Sequence, residues 1–280
     1  MLDGILTAFA NLFVQIAFTA GVVGLCGMFI SFCNRCFYDC LGDTAFFIVR
    51  ASGIIGTPVH ELSHALMCII FGHRITKMKI YNFQKSSKVL GYVEHSYRKT
   101  NLYNLSGNFF IGIAPIVVGG LAVTLLVALL TPWMYNAAMQ GFNAVTSAGE
   151  AEFFQRLLRE IGSIFTSFFS FDNFGNWRWW LCMLLAFAIS IHMEISRADI
   201  NGGLKGLAVI SVLLIALDLI LAFLFPNALV AVTSAFVTAG LYVSMFLMIP
   251  AFFSGFVLLV SGLVALIRTL SKSIANSAGE

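Results

Sequence analysis

Charge is what this chain has least of. Asp, Glu, Lys and Arg make up 10% of its 280 residues, where a soluble globular domain carries roughly a quarter, and that shortfall excludes a soluble fold. Proline is scarce too, at five residues against 28 Phe, so the chain lacks the Pro-rich, aromatic-poor composition of a disordered one. No basic run interleaved with aromatics occurs and the formal net charge is only +3, which excludes nucleic acid as a partner. No Lys or Arg precedes the first apolar run, and that run, reaching Ile30, is longer than the core of a signal peptide; it reads as a retained transmembrane helix. What the chain has in abundance is apolar residues, 59% of the total, at a mean hydropathy of +0.92. The class is a multi-pass integral membrane protein, expected in the cell membrane, and its partners lie in or at the lipid bilayer.

Crossing the hydrocarbon core takes about 20 apolar residues in a helix. Stretches near 5–30, 44–71, 105–131, 177–194 and 206–225 satisfy this, and a sixth from 228 to 270 is either one long helix or a hairpin bent near Pro250 or Gly255. The expectation is an all-α polytopic membrane protein of about six transmembrane helices, forming a single membrane domain over 1–280. Seven of the sixteen basic residues fall between the second and third spans: Arg74, Lys77, Lys79, Lys85, Lys88, Arg98 and Lys99. Loops rich in Lys and Arg stay cytoplasmic. That loop, the amino terminus, the 196–205 turn with Arg197 and Lys205, and the tail with Arg268 and Lys272 are therefore expected inside, with 31–43 and 132–176 outside.

Two segments have other patterns. Residues 75–83 and 89–97 alternate with period two around 84–88, predicting a small cytoplasmic β-hairpin with a five-residue turn. In 150–169, Phe153, Phe154, Leu157, Leu158, Ile161, Ile164 and Phe165 recur at three and four residues opposite Glu152, Arg156, Arg159 and Glu160, predicting an amphipathic helix on the outer surface. Cys33, Cys36 and Cys40 fall in the expected 31–43 loop; three cysteines without a matched fourth ligand read as small apolar residues at an interface.

The residues that point to chemistry are His60-Glu61-Leu62-Ser63-His64, inside the second span. Histidines at i and i+4 lie one above the other on a helix, so both imidazoles reach one metal ion, and the Glu beside them can hold a water there. With five His in the chain, composition alone gives ~0.002 expected occurrences, so the pattern is not an accident. Zinc accepts such ligands and keeps a position open for water and substrate. Gly56-Thr57-Pro58, just before, either starts a helix or kinks a continuous one; irregular backbone at membrane depth lines a watery cavity or is buried in protein. A third ligand should come from the same end of the fold, where His192, Glu194 and Asp199 are all competent. Asp199 is followed by Asn201-Gly202-Gly203, expected to turn and let the backbone come close. His73 and His95 read as surface residues, and Asp218, deep in the fifth span, as a structural hydrogen-bonding group with Arg50 a candidate partner.

These motifs resemble the site-2 protease family of intramembrane zinc metalloproteases, in which an HExxH helix is paired with a later transmembrane helix supplying an Asp. His60-Glu61-Leu62-Ser63-His64 is the complete first motif. Asp199 takes the place of the third ligand, although Ile200-Asn201 separate it from Gly202 and no Asn-x-x-Pro precedes it. The 107–115 stretch, Gly-Asn-Phe-Phe-Ile-Gly-Ile-Ala-Pro, is similar to the small-residue and Pro segment of the family's intervening helix. The resemblance covers about 44–205, the expected catalytic core, and no PDZ or CBS segment accompanies it. It implies one Zn2+ per chain on His60, His64 and Asp199, with Glu61 as the catalytic base. It also implies a membrane-embedded or membrane-adjacent protein or peptide substrate cut near the cytoplasmic face, locally unwound, for which an edge of the 75–97 hairpin offers strand addition. The rival expectation is a non-catalytic membrane protein with a structural or transport metal site, for which four protein ligands or a path of further ligands would be required.

Overall fold

A computed structural model describes residues 2–84, 87, 89–147 and 149–277, without the side chains of Glu150, Ala151, Phe153, Lys272 and 275–277. Lys85, Ser86 and Lys88 of the expected turn, and the Phe153 and Lys272 side chains, thus lie outside what is described.

The chain opens with α1 (Leu2–Ile16), a π-helical segment (Ala17–Gly21) and α2 (Val22–Leu41), together one apolar run of 40 residues. The expected loop over 31–43 is absent, because nothing in 31–41 breaks a helix. The break comes at Gly42, whose φ of +54° suits a residue without Cβ. Cys33, Cys36 and Cys40 therefore sit at i, i+3 and i+7 on α2, and all six cysteines are free thiols.

Helix α3 (Asp43–Ile70) runs unbroken through Pro58, so the Gly56-Thr57-Pro58 element lies within a continuous helix rather than starting one. The hairpin follows, with β1 (Arg74–Lys79) antiparallel to β2 (Tyr92–Ser96), Lys79 opposite Tyr92 and a bulge between Ile75 and Lys77. The strands are shorter than expected, because Tyr81, Asn82 and Ser87 of the connecting segment bond to Arg50 on α3. Tyr81 Oη–H donates to the Arg50 carbonyl at 2.7 Å, and the Arg50 guanidinium donates to the carbonyls of Asn82 (3.3 Å) and Ser87 (3.2 Å). Those bonds replace the rungs a longer ladder would have made.

Helix α4 (Leu102–Leu130) is apolar on every side and packs against α3, α7, α8 and α9, as an all-round apolar helix must. Its Ile116, Val123 and Val127 centre the main core with Met134, Phe168, Ile189, Met193 and Leu247. Then come α5 (Pro132–Thr146), α6 (Glu150–Phe168), α7 (Trp177–Ser190), α8 (Arg197–Leu224) and α9 (Pro226–Ser277). The sequence reading missed α5, although Pro132 stands at its first helical position, a recognised start. The amphipathic α6 is more than a surface anchor: Ile164 and Phe168 are buried, and the Phe168 ring lies 4.8 Å from that of Phe252 on α9.

Among the described residues, five helical stretches are long and apolar enough to cross a membrane: Leu2–Leu41, Asp43–Ile70, Leu102–Leu130, Arg197–Leu224 and Pro226–Ser271. The expected span at 177–194 is α7, which at 14 residues extends only about 21 Å against a hydrocarbon core of about 30 Å. The 228–270 stretch is one helix, with Pro250 inside it. Helix α8 begins nine residues before the expected 206, so 201–203 are helical and not a turn. Asp218 is fully buried and accepts from Gln15 Nε2 on α1 at 3.1 Å, which also donates to Thr233 on α9; Arg50 is engaged elsewhere and is not its partner.

Candidate metal centre

The HExxH residues occupy the second half of α3, where α7 and α4 bring backbone carbonyls against them. At the end of α7 the last carbonyls have no helical donor, and the His192 carbonyl accepts from His60 Nδ1–H at 2.7 Å. In α4, Pro115 has no N–H to give the carbonyl four residues back. That carbonyl belongs to Ile111, and it accepts from His64 Nδ1–H at 2.8 Å.

Since a carbonyl can only accept, both imidazoles carry their proton on Nδ1 and present Nε2 as a lone pair. The two Nε2 atoms face each other at 3.2 Å. Two lone pairs at that distance repel unless a cation lies between them, and holding one ring nitrogen on a backbone carbonyl is how proteins orient histidine ligands.

Asp199 supplies the third donor from the first turn of α8. Ser196 caps that helix: its Oγ accepts from Asp199 N–H at 3.1 Å, while Asp199 Oδ2 accepts from Ser196 N–H at 3.0 Å and from the hydroxyl at 2.5 Å. This reciprocal cap fixes the carboxylate and leaves Oδ1 free, 3.7 Å from His64 Nε2. The α8 end comes this close because of Gly112, where a Cβ would stand 2.6 Å from the Asp199 carbonyl oxygen. One ligand atom from each of His60, His64 and Asp199 falls within 4.8 Å of the others, so the donor set fits a divalent ion of the zinc class.

Of the three candidates for third ligand, only Asp199 is brought to the pair. His192 has Nδ1 2.8 Å from the Ala188 carbonyl and Nε2 3.1 Å from that of Val49, so neither nitrogen is free. Glu194 faces Arg35 at 4.0 Å, and burial pushes its carboxyl above the ordinary range, with Arg35 acting the other way.

Glu61 is buried, at 6% exposure, and hydrogen-bonds to no described residue. Against it lies Gly91 of the returning hairpin, where a Cβ would meet Glu61 Cγ and Thr57 Cγ2 at 2.7 Å and Glu61 Oε1 at 2.9 Å. Thr57 turns its Cγ2 methyl to this wall, while its Oγ1 lies toward Gly53 and is buried without a hydrogen-bond partner among the described residues. A carboxylate without a described partner beside two converging imidazoles is an arrangement suited to holding a water.

A second group of donors was not expected. Cys68, His73 and His95 also bring one ligand atom each within 4.8 Å of one another. His73, read from sequence as a surface residue, is only 5% exposed, because the turn after α3 folds it under the hairpin. Burial, then the neighbouring His73, holds the His95 imidazole below its ordinary pKa.

Compared with known proteins, the chain matches no family model, no curated protein and no solved structure.

Proposed function

We propose that this protein is an intramembrane zinc metalloprotease, similar to the site-2 protease family, that hydrolyses a peptide bond of a membrane-embedded or membrane-adjacent substrate near the cytoplasmic face. The observation that carries the reading is the pair of Nε2 lone pairs 3.2 Å apart, each ring locked by a carbonyl on Nδ1, beside a buried carboxylate with no partner among the described residues. A zinc ion on His60, His64 and Asp199 would supply Lewis acidity toward the scissile carbonyl and bring the pKa of water toward 7.

The remaining work falls to the chain. Glu61 takes the proton of the attacking water and returns it to the amide nitrogen as that bond breaks, the role of a carboxylate general base and acid. Gly91 keeps the hairpin backbone against Glu61 without a side chain in the pocket. The basic loop carrying Arg74, Lys77, Lys79, Arg98 and Lys99 argues for this end of the fold lying on the cytoplasmic side.

The experiment is cleavage of a transmembrane-peptide library by detergent-purified wild type and Glu61→Gln, with metal measured on both. Cleavage by wild type alone, with metal retained in the variant, supports the reading. Cleavage that survives in Glu61→Gln removes Glu61 as the base.

A further inference from the structure

We propose that Cys68, His73 and His95 form a second metal site, distinct from His60, His64 and Asp199, that holds a divalent ion of the zinc class and ties the hairpin to the end of α3.

Three separate segments deliver the three donors. Cys68 is fully buried on α3, one turn beyond His64 and so about 6 Å further along the axis. After α3, Gly72 takes a φ of +67° and His73 N–H donates to the Cys68 carbonyl at 2.8 Å. This tight return sets the His73 ring beside the thiol. His95 arrives from β2, opposite Ile75.

The His73 ring is held as a ligand would be. Its Nε2–H donates to the Asn104 carbonyl at 2.8 Å, and the Tyr97 ring stacks on it at 4.6 Å. Nδ1 is therefore a lone pair, aimed at His95 Nδ1 2.9 Å away. A tetrahedral zinc ion holds two nitrogens about 3.4 Å apart, so the His95 ring has to give by only about half an ångström. One thiolate and two imidazoles make a three-ligand zinc set, one protein donor short of a closed structural site, and the fourth position falls to water.

The second ion would serve the cover over Glu61. Gly91 of the hairpin closes on that carboxylate, and an ion on Cys68, His73 and His95 anchors the far end of the same hairpin to α3. The competing arrangement is a plain hydrogen bond, His95 Nδ1–H to His73 Nδ1, with the thiol a bystander.

Co2+ titration of the full-length protein in detergent separates the two, because a thiolate ligand produces a charge-transfer band that imidazole and carboxylate ligands do not. Expected are two Co2+ per chain and a thiolate band that disappears in Cys68→Ser. In His95→Ala the Co2+ affinity of the band should fall at least tenfold. In the double variant His60→Ala/His64→Ala the band should remain while the count falls to one, and this variant decides the matter even if Cys68→Ser does not fold. Absence of a thiolate band from wild type, or a band that survives Cys68→Ser, overturns the proposal.

Discussion

Replacing Pro115 by Ala tests whether the geometry of His64 is set by a proline in another helix. Pro115 leaves the Ile111 carbonyl without its helical donor, and His64 Nδ1–H uses it at 2.8 Å. The substitution would bring back an N–H aimed at that oxygen and draw the carbonyl toward the helix axis, away from the ring. A neutral hydrogen bond is worth about 1 kcal/mol net, and losing the outer partner of a metal-bound His costs about 10–100-fold in metal affinity. The carbonyl has a second lone pair and can keep part of the His64 bond, so the lower end applies. The expected loss is about tenfold, or about 1.4 kcal/mol, with the helix itself stabilised because the break in α4 is repaired. The assay is zinc affinity by chelator competition on wild type and Pro115→Ala, with Pro250→Ala in α9 as a control that touches neither histidine. Unchanged zinc affinity in Pro115→Ala, with the fold intact, would refute the reasoning.

Three further outcomes are expected. Gly91→Ala places a methyl 2.7 Å from Glu61 Cγ, an overlap of the kind that costs about 1–3 kcal/mol; cleavage should fall at least tenfold with metal content unchanged, as elemental analysis alongside the peptide assay will show. His192→Ala should keep its metal, since both ring nitrogens face carbonyls and only the main-chain carbonyl serves His60, but should lower thermal stability by about 1 kcal/mol, because the Ala188 carbonyl loses its ring partner while that of Val49 keeps the Ser52 hydroxyl. Asp218→Leu takes from the Gln15 amide one of its two acceptors in the α1–α8–α9 junction, Thr233 being the other, and should destabilise by about 1 kcal/mol, whereas Asp218→Asn keeps an acceptor for it and should unfold close to wild type in the same melt.

The half of the fold that carries the HExxH residues was legible to different depths. His60, Glu61 and His64 could be read because a helix turns i and i+4 to one side, and the 44–71 and 105–131 spans because hydrophobic length alone fixes them. Asp199 could be singled out but not its setting: Ser196 and Asp199 form a reciprocal cap that starts α8 early, and the glycines at 202 and 203 suggested a turn where the cap imposed a helix. The Ile111 carbonyl was invisible as a ligand partner, since main-chain groups leave no residue signature, although Pro115 marked it at a fixed offset of four. Cys68, His73 and His95 escaped because two of the three come from a turn and a strand whose approach to α3 depends on Gly72 and on the bonds of Tyr81 and Asn82 to Arg50. The half around α5 and α6 was less legible still: α5 and the burial of Phe168 arise from helix packing, which no local periodicity encodes.

The most direct test of the central claim is zinc content measured by elemental analysis on full-length wild type, His60→Ala, Asp199→Ala and Glu194→Ala, purified in parallel. Loss of one zinc per chain in the first two variants and none in Glu194→Ala is the expected result, and it would fix the ligand set that the facing imidazoles and the free Asp199 oxygen indicate. Zinc retained at the wild-type level in both His60→Ala and Asp199→Ala would contradict it.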